Sequence, residues 1–443
     1  ALSMVGALGV YFWARTFLSQ TAAAWAGIFY ALAPYHVNQL YQATLFAEYA
    51  AAAVLPFAFA FVDRVCIHGR RRDIAGLAFV YAILLFTHLP LAIIGSLALL
   101  VYSAVYLAKS RKLITIAKLS LAVALGLCAS AVYWVTMIAE MSWIAVNRVH
   151  PDASVDYRAN FVLQTISSDN LNVWWMNILS LMTLLLFAPL VVFLRRSAAA
   201  QSKTLKCLLP VIVMTLCACF MALPLSRPLW DVWPQLQQVQ FPWRWLAMVS
   251  MGGSLIAGAA VSTWKADPRA LPRQWRTLVL GAMIISIAFT LSHVVREAQY
   301  LSPAKFEETL SEIRGSASVN YWFPIWANSN APQMHHQIEV DSRQLSIYSW
   351  QAEHRQFAVA AGPATEARVR TFYYPHWSAT TNGISLPTRP AADGALLISL
   401  PTEAVRVSLD FREPARNRFS AAASLTGLCL IAALAFPLRK QRI

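Results

Sequence analysis

The segment "LFAEYAAAAVLPFAFAFVD" (45–63) is followed by the link "RVCIHGRRRD" (64–73) and then by "IAGLAFVYAILLFTHL" (74–89). Two long apolar runs therefore flank a short link that carries four arginines. A transmembrane helix needs about 20 mainly apolar residues, and cationic links concentrate on the cytoplasmic side of a membrane. The stretch predicts two transmembrane helices joined by a cytoplasmic link.

The same alternation of apolar runs and short links continues along the 443 residues of the chain. Hydrophobic residues make up 58% of the sequence and charged residues 13%, whereas soluble proteins carry about 25% charged residues. We therefore predict a polytopic α-helical membrane protein with about 11 transmembrane helices. The predicted spans are 2–18, 21–36, 45–63, 74–89, 91–108, 114–137, 173–194, 207–225, 244–264, 277–294 and 420–438.

The basic residues fall in segments that this topology places on one membrane face: 63–73, 109–112, 195–206, 265–276 and 439–443. We assign that face to the cytoplasm, with the protein in a bacterial inner membrane. Anionic lipid beside these links accounts for the formal net charge of +15, so no nucleic-acid partner is predicted. The count of spans places residue 1 outside without a signal-peptide pattern, which predicts an upstream span and a first outer loop.

The pattern changes in the predicted outer segment 295–419. It begins with "SPAKFEETLSEIRG" (302–315), where Ser302 and Pro303 favour the start of a helix. Short runs of alternating apolar residues follow, separated by Gly, Pro and Asn, and they predict an antiparallel β-sandwich. The predicted domains are a multi-helix membrane domain at 1–294, a periplasmic domain at 295–419, and a last helix with a basic tail at 420–443.

The stretch "VQFPWRWLAM" (239–248) places Arg244 between Trp243 and Trp245 at the start of an apolar run. A guanidinium at the outer interface can hold a lipid-linked phosphate through paired donors. The aromatic rings would then pack against a prenyl chain or a sugar face. The alternative is an aromatic belt in which the arginine extends its charge towards the interface.

Glu48 lies at the predicted outer entrance of the span 45–63. A carboxylate near hydrocarbon is costly, so it serves as a general base, a metal ligand or an acceptor-binding group, or as the interhelical partner of an arginine or histidine. Tyr35 and His36 lie on the preceding outer link, where each is a candidate hydrogen-bond donor to a sugar or phosphate, or simply an interface residue.

Two further candidates lie at predicted outer turns. His88 stands in a tight hairpin, where it either donates to a phosphate or satisfies the turn. Glu140 follows the span 114–137 at its outer end, and it either frames a cavity with Glu48 or forms a solvated helix end.

Several outer segments combine aromatic and charged residues. The stretches 226–238 and 320–329 are rich in tryptophan and tyrosine, which suits either sugar stacking or interface anchoring. The segment 141–172 is either a loop over the cavity or a solvated loop, and it holds Arg148, His150, Asp152, Asp156, Arg158 and Asp169. In the β-domain, Tyr373, Tyr374, His376 and Trp377 are expected to serve mainly in packing, with carbohydrate binding as the alternative.

Three stretches resemble known families. "AGIFYALAPYHVNQLYQATLFAEYAAAAVLPF" (26–57) resembles the Pro-Tyr and span-entry Glu segment of the GT-C glycosyltransferase superfamily. "VQFPWRWLAM" resembles a Phe-Pro-Trp-Arg element of bacterial membrane proteins named 6-pyruvoyl-tetrahydropterin-synthase-related. "RTFYYPHWSATTNGISLPTRPAADGALLISLPTEAVRVSLDF" (370–411) resembles the outer β-domain of YfhO-like membrane proteins.

The GT-C resemblance implies transfer of a sugar from a polyprenyl-phosphate carrier to an envelope glycan or lipid acceptor at the outer membrane face. It also implies a catalytic acid in a first outer loop, which the predicted topology places before residue 1. Within this chain it implies an acidic role for Glu48, phosphate binding by Arg244, and basic side chains or a divalent metal ion on the phosphate. Substrate binding would extend to Trp243, Trp245, Tyr35, His36, His88 and Glu140.

The scattered histidines argue against the zinc-binding triad of a soluble pterin synthase. Two other classes stay open. A lipid or polysaccharide transporter would show a path with polar groups at mid-membrane. A non-catalytic membrane scaffold with a carbohydrate-binding β-domain would leave Arg244 and Glu48 dispensable.

Overall fold

The computed structural model describes residues 1–108, 113–144, 156–164, 171–185, 198–266, 273–298, 302–315, 323–327, 334 and 336–436. The chain forms two compact units. Unit 1 comprises Ala1–Ala131, Asp152–Gln299 and Ala423–Ile443, and unit 2 comprises Val132–Pro151 and Tyr300–Ala422. The stretch Val132–Pro151 falls in the same unit as the β-strands, and the helix Ala415–Ala435 is divided between the two units.

The helices follow the predicted spans closely. They are α1 (Leu2–Ala14), α2 (Gln20–Ala31), α3 (Pro34–Tyr41), α4 (Phe46–Ile67), α5 (Arg71–Thr87), α6 (Leu89–Leu107), α7 (Leu113–Ala129), α8 (Ala131–Glu140), α9 (Leu171–Leu185), α10 (Ala198–Ala222), α11 (Leu246–Ala266), α12 (Arg273–Arg296), α13 (Pro303–Gly315) and α14 (Ala415–Ala435). Short helical turns at Arg227–Val232, Pro234–Gln237 and Pro242–Trp245 precede α11. Each predicted span therefore contains a helix.

Fewer helices than the eleven predicted spans are long and apolar enough to cross a membrane. Within the described ranges there are five: Phe46–Ile67, Leu89–Leu107, Pro242–Val261, Thr277–Arg296 and Ala415–Ala435. The number reaches seven if two bent helix pairs each count as one span. The predicted span 21–36 illustrates the difference: Ala33 has ψ 134°, because a residue before proline avoids the helical region, and Pro34 starts the separate helix α3.

Small residues let the helices of unit 1 approach closely. A Cβ atom on Gly27 would lie 2.7 Å from the carbonyl oxygen of Ala7, so α1 and α2 touch backbone to backbone there. A Cβ on Gly258 would lie 2.5 Å from the carbonyl oxygen of Ala22, which brings α11 equally close to α2. Such contacts are typical of membrane helices, whose packing depends on van der Waals contact.

Unit 2 contains the predicted antiparallel strands in two sheets. The strands are β1 (Ile338–Val340), β2 (Leu345–Trp350), β3 (His354–Val359), β4 (Thr365–Phe372), β5 (Trp377–Thr381), β6 (Ile384–Leu386), β7 (Thr388–Pro390), β8 (Ala395–Leu400) and β9 (Val405–Phe411). One sheet has the order β1-β4-β8-β7 and the other β2-β3-β9-β5-β6. Buried side chains from both sheets form one hydrophobic core, as in a β-sandwich.

Two local features hold the sandwich. Asn382 (φ 45°) and Gly383 (φ 80°) are both left-handed, which joins β5 to β6 by the Asn-Gly hairpin turn that suits twisted strands. Arg343 is buried, and its guanidinium donates to the carbonyl oxygens of Ala360 at 2.6 Å, Pro401 at 2.7 Å and Glu403 at 2.7 Å. One side chain thereby ties together three loop segments.

Candidate functional site

The short helix α3 carries an unusual number of buried polar side chains. Pro34 opens the helix, and Tyr35, His36, Asn38 and Gln39 are all buried. A buried polar group costs free energy unless it finds a hydrogen-bond partner. Helix α3 therefore marks a polar cluster inside unit 1.

Glu48, in the first turn of α4, is the centre of this cluster. Its Oε1 atom accepts hydrogen bonds from the Tyr35 hydroxyl and from Gln39 Nε2, the latter at 2.7 Å. Its Oε2 atom lies 2.9 Å from Arg244 Nε, and the side chains of Glu48 and Arg244 are 1% and 7% exposed. The prediction that Glu48 partners an arginine is the arrangement seen, and both carboxylate oxygens are occupied.

The loop before α11 orients Arg244. Gln240 has φ 66°, a turn that points the carbonyl of Val239 at the guanidinium, where it accepts a hydrogen bond from Nη1. The guanidinium carbon lies 4.7 Å from the ring centroid of Phe241, which stacks on Trp243 with centroids 5.0 Å apart. Nη2 donates no hydrogen bond within the described part of the chain. Hydrogen bonds to Glu48 and Val239 thus hold the Arg244 guanidinium on one side, and aromatic rings flank it on another.

The polar network extends beyond the predicted residues. Trp175 Nε1 donates to Asn38 Oδ1 at 2.7 Å, and Asn38 Nδ2 donates to Gln39 Oε1 at 3.1 Å. The Trp175 ring stacks on His293 with centroids 3.6 Å apart, which adds α9 and α12 to the cluster. Sequence reasoning missed Asn38, Gln39, Trp175 and His293. The polar pattern "YHVNQ" (35–39) between apolar runs was the signal that pointed to the first two.

Two predicted residues have different surroundings from those expected, and a third, His88, satisfies its turn as one of its two predicted roles required. Trp245 lies in the hydrophobic core rather than beside the guanidinium. His36 is buried against the ring of Tyr30, with centroids 4.3 Å apart. His88 caps α6, because its Nδ1 atom accepts a hydrogen bond from the Leu91 backbone at 3.2 Å, and it interacts electrostatically with both Glu48 and Arg244.

A family comparison covers the whole of this cluster. Residues 1–301 match the model of the 6-pyruvoyl-tetrahydropterin synthase related domain, a membrane protein family. The chain belongs to this family. No curated protein and no solved structure matches it. The β-strands lie outside the matched residues. The similarity of 370–411 to YfhO-like proteins therefore rests on the sequence resemblance alone.

Glu140 forms a second polar cluster, which lies within unit 2. Its Oε2 atom accepts from the Tyr374 hydroxyl at 2.5 Å, and its Oε1 atom lies 2.8 Å from His376 Nε2 and accepts from Arg416. The Trp143 ring packs edge-on against Tyr374, with centroids 5.3 Å apart. Glu140 is therefore not a solvated helix end, because it binds side chains of the β-domain within unit 2.

The remaining candidates divide between packed and undescribed residues. Arg158 lies 3.6 Å from Asp156 and 3.6 Å from Asp231, and Tyr157 stacks on the buried Trp230. The stretch that contains Trp326 packs against Tyr373. The other charged candidates lie outside the described residues: Arg148, His150, Asp152 and Asp169.

The divalent metal ion that the GT-C resemblance allows finds no ligand set in the described ranges. No group of three or more His, Cys, Asp or Glu side chains is placed there to hold a metal ion. The one carboxylate of the central cluster is already bonded through both oxygens. The described residues therefore do not fit a resident metal, and no chemical step is assigned to one.

The Glu140 cluster predicts a specific dependence of stability on pH. The pKa of Tyr374 is raised by burial and by its hydrogen bond to Glu140. The stabilisation from this protonated phenol is complete below the ordinary tyrosine pKa of about 10 and is lost as pH rises beyond it. The stability difference between wild type and Tyr374→Phe is expected to stay constant up to about pH 9 and to shrink above about pH 10. Denaturant unfolding of the wild type and Tyr374→Phe across this pH range measures the stability difference. A difference that is unchanged at high pH contradicts the prediction.

Proposed function

We propose that this family member is a GT-C-like membrane glycosyltransferase. In this proposal it takes a sugar from a polyprenyl-phosphate carrier and passes it to an envelope glycan or lipid acceptor at the outer face of a bacterial inner membrane. The observation that carries the proposal is Arg244, a buried and oriented guanidinium that is flanked by aromatic rings at the start of an apolar helix. The matched family region contains the entire cluster.

Arg244 has the chemistry of a phosphate anchor. A guanidinium binds phosphate oxygens through a planar set of N–H donors and remains charged at any physiological pH. Glu48 takes Nε and the Val239 carbonyl takes Nη1, which leaves Nη2 as the donor available to a ligand. The stacked rings of Phe241 and Trp243 offer a flat apolar surface to a prenyl chain or a sugar ring.

Glu48 receives a positioning role in this proposal. A general base needs a carboxylate oxygen within reach of the acceptor proton, but Oε1 is bonded to Tyr35 and Gln39 and Oε2 to Arg244. Glu48 therefore orients the guanidinium and neutralises part of its charge. In this proposal the acceptor is activated by a residue other than Glu48 and Arg244.

The variant Arg244→Lys tests the phosphate anchor. Lysine keeps a positive charge beside Glu48 but lacks the second donor edge, so affinity for polyprenyl phosphate is expected to fall about tenfold. Binding is measured by native mass spectrometry of protein in nanodiscs, and sugar transfer is measured with radiolabelled polyprenyl-phosphate sugar. The matched control is Arg227→Lys, because Arg227 is an exposed arginine of the same unit that lies 3.6 Å from Asp231.

A non-catalytic scaffold is the second candidate function. It is favoured by the completeness of the ion pair, since both oxygens of Glu48 have donors without any ligand. A scaffold predicts no binding of polyprenyl phosphate by the wild type and no sugar transfer. A wild type that fails to bind, or an Arg244→Lys variant that binds equally well, therefore overturns the glycosyltransferase proposal.

A further inference from the structure

An open cleft lies towards the other end of α4, away from the Glu48 cluster. Its volume is about 620 Å³, and α1, α4 and the turns that follow each helix supply its walls. Glu48 and Arg64 are 16 residues apart on α4, which corresponds to about 24 Å at 1.5 Å per residue. The cleft is therefore separate from the site to which the proposed function refers.

Basic side chains gather at one edge of the cleft. Arg15, Arg64 and His68 all line it. Arg64 donates through Nε to Asp73 at 2.8 Å, and Arg15 donates through Nη1 to the Leu18 carbonyl at 3.2 Å. Because a guanidinium has five N–H donors, each arginine keeps donors for a ligand. These hydrogen bonds orient both arginines and leave some of their N–H donors free for a ligand.

The two carboxylates near the cleft, Asp63 and Asp73, offset part of this charge. Asp63 is buried, and it accepts hydrogen bonds from Thr16 at 2.8 Å, Tyr102 at 2.8 Å and Trp13 at 3.2 Å. Asp73 is buried as well and bonds to Arg64. Three more arginines, at positions 70–72, follow in the same link. The five arginines of these segments outnumber the two carboxylates, so the region next to the cleft keeps an excess of positive charge.

The other walls of the cleft are apolar and partly exposed. Phe12, Phe57 and Phe61 line it, and the Phe12 and Phe57 rings contact each other with centroids 6.2 Å apart. Phe12 is 54% exposed in the protein alone, as expected of a side chain that faces hydrocarbon. The cleft volume falls within the range of about 300–1,000 Å³ that suits drug-sized molecules, so it exceeds the needs of a free phosphate ion.

We propose that this cleft is a binding site for an anionic diacyl phospholipid, on the membrane face that carries the basic links. The headgroup phosphate contacts Arg15, Arg64 and His68, and the upper parts of the acyl chains lie along Phe12, Phe57 and Phe61. Basic pockets between transmembrane helices recognise anionic lipid headgroups in this way. The site is independent of the proposed transferase activity.

Lipid retention by purified protein tests the proposal. Wild-type protein in detergent is exposed to equal amounts of phosphatidylglycerol and phosphatidylcholine, and bound lipid is counted by native mass spectrometry. We expect one retained phosphatidylglycerol and a preference of at least about tenfold over phosphatidylcholine. Each arginine near the surface contributes about 1 kcal/mol, so Arg15→Gln is expected to lower the preference about fivefold.

Further variants separate the site from general attraction to lipid. Arg64→Lys is a second test. It keeps a cation beside the buried Asp73, so that carboxylate is not left without its partner. Arg227→Gln is the matched control, because Arg227 is exposed and lies outside the cleft. Inorganic phosphate added at millimolar concentration is expected not to displace the lipid. Equal retention of the two lipids by the wild type, displacement by phosphate, or an unchanged preference in Arg15→Gln would each overturn the proposal.

Discussion

Replacement of Arg244 by methionine is expected to lower the free energy of unfolding of unit 1 by about 3–5 kcal/mol. The substitution removes the cation that lies 2.9 Å from Glu48, and the carboxylate is then left buried with its charge uncompensated. The Val239 carbonyl loses its donor at the same time. Thermal and denaturant unfolding of the full chain in detergent measures the loss.

Two comparisons make this result specific to the buried ion pair. The double variant Glu48→Gln/Arg244→Met removes the unpaired charge as well, so it is expected to recover about half of the lost stability. The control Arg227→Met breaks an exposed pair and is expected to cost less than about 1 kcal/mol. An Arg244→Met variant as stable as this control would contradict the assignment of Glu48 and Arg244 to each other.

Replacement of Glu140 by alanine is expected to destabilise unit 2 by about 3 kcal/mol. The carboxylate bonds to Tyr374, His376 and Arg416, so its loss removes the shared acceptor of three side chains that come from two segments of the unit. Hydrogen exchange of the full chain should show faster opening of the strands beside Tyr374. Limited proteolysis gives an independent measure of the same opening.

Matched variants in the same unit test the cause of that loss. Glu140→Gln keeps an acceptor for the Tyr374 hydroxyl and is expected to cost about half as much as alanine. Glu366→Gln interrupts the exposed ion pair with Arg389 and is expected to cost less than about 1 kcal/mol. If Glu140→Ala matched Glu366→Gln, the cluster would not hold unit 2 together.

Local pattern predicted the secondary structure well. Apolar runs predicted a helix in each of the eleven spans, and alternation predicted the longer strands of the sandwich. The prediction was weaker where a short element interrupts a run. The alternating runs were 336–340, 343–350, 355–361, 367–374, 395–400 and 404–411, and strands β5, β6 and β7 fall outside them. The residues of these three strands and their turns include a proline, an Asn-Gly pair and many small polar side chains. Helix α3 was not predicted as a separate element, because it lies across the end of the predicted span 21–36 and its residues lack a continuous apolar face.

The candidate site was predicted only in part. Glu48, Arg244 and Tyr35 were singled out one by one, from an acid at a span entrance, an arginine between tryptophans and a Pro-Tyr dipeptide. Their direct contact was not predictable, since Glu48 and Arg244 are 196 positions apart in the chain. Gln39 was missed although the polar stretch 35–39 between apolar runs contained a signal, because that pattern does not show which amide bonds to Glu48.

The sequence by itself determined that this chain is a membrane protein with apolar helices, basic links and a strand-rich segment. Those properties depend on hydrophobicity and on local periodicity, which neighbouring residues specify. Only the tertiary structure decided that Arg244 neutralises Glu48 and that Glu140 binds Tyr374, His376 and Arg416. The physical reason is that a buried charge is stable only beside a partner, and packing between distant segments determines which partner lies beside it. The spacing of residues along the chain does not specify that packing.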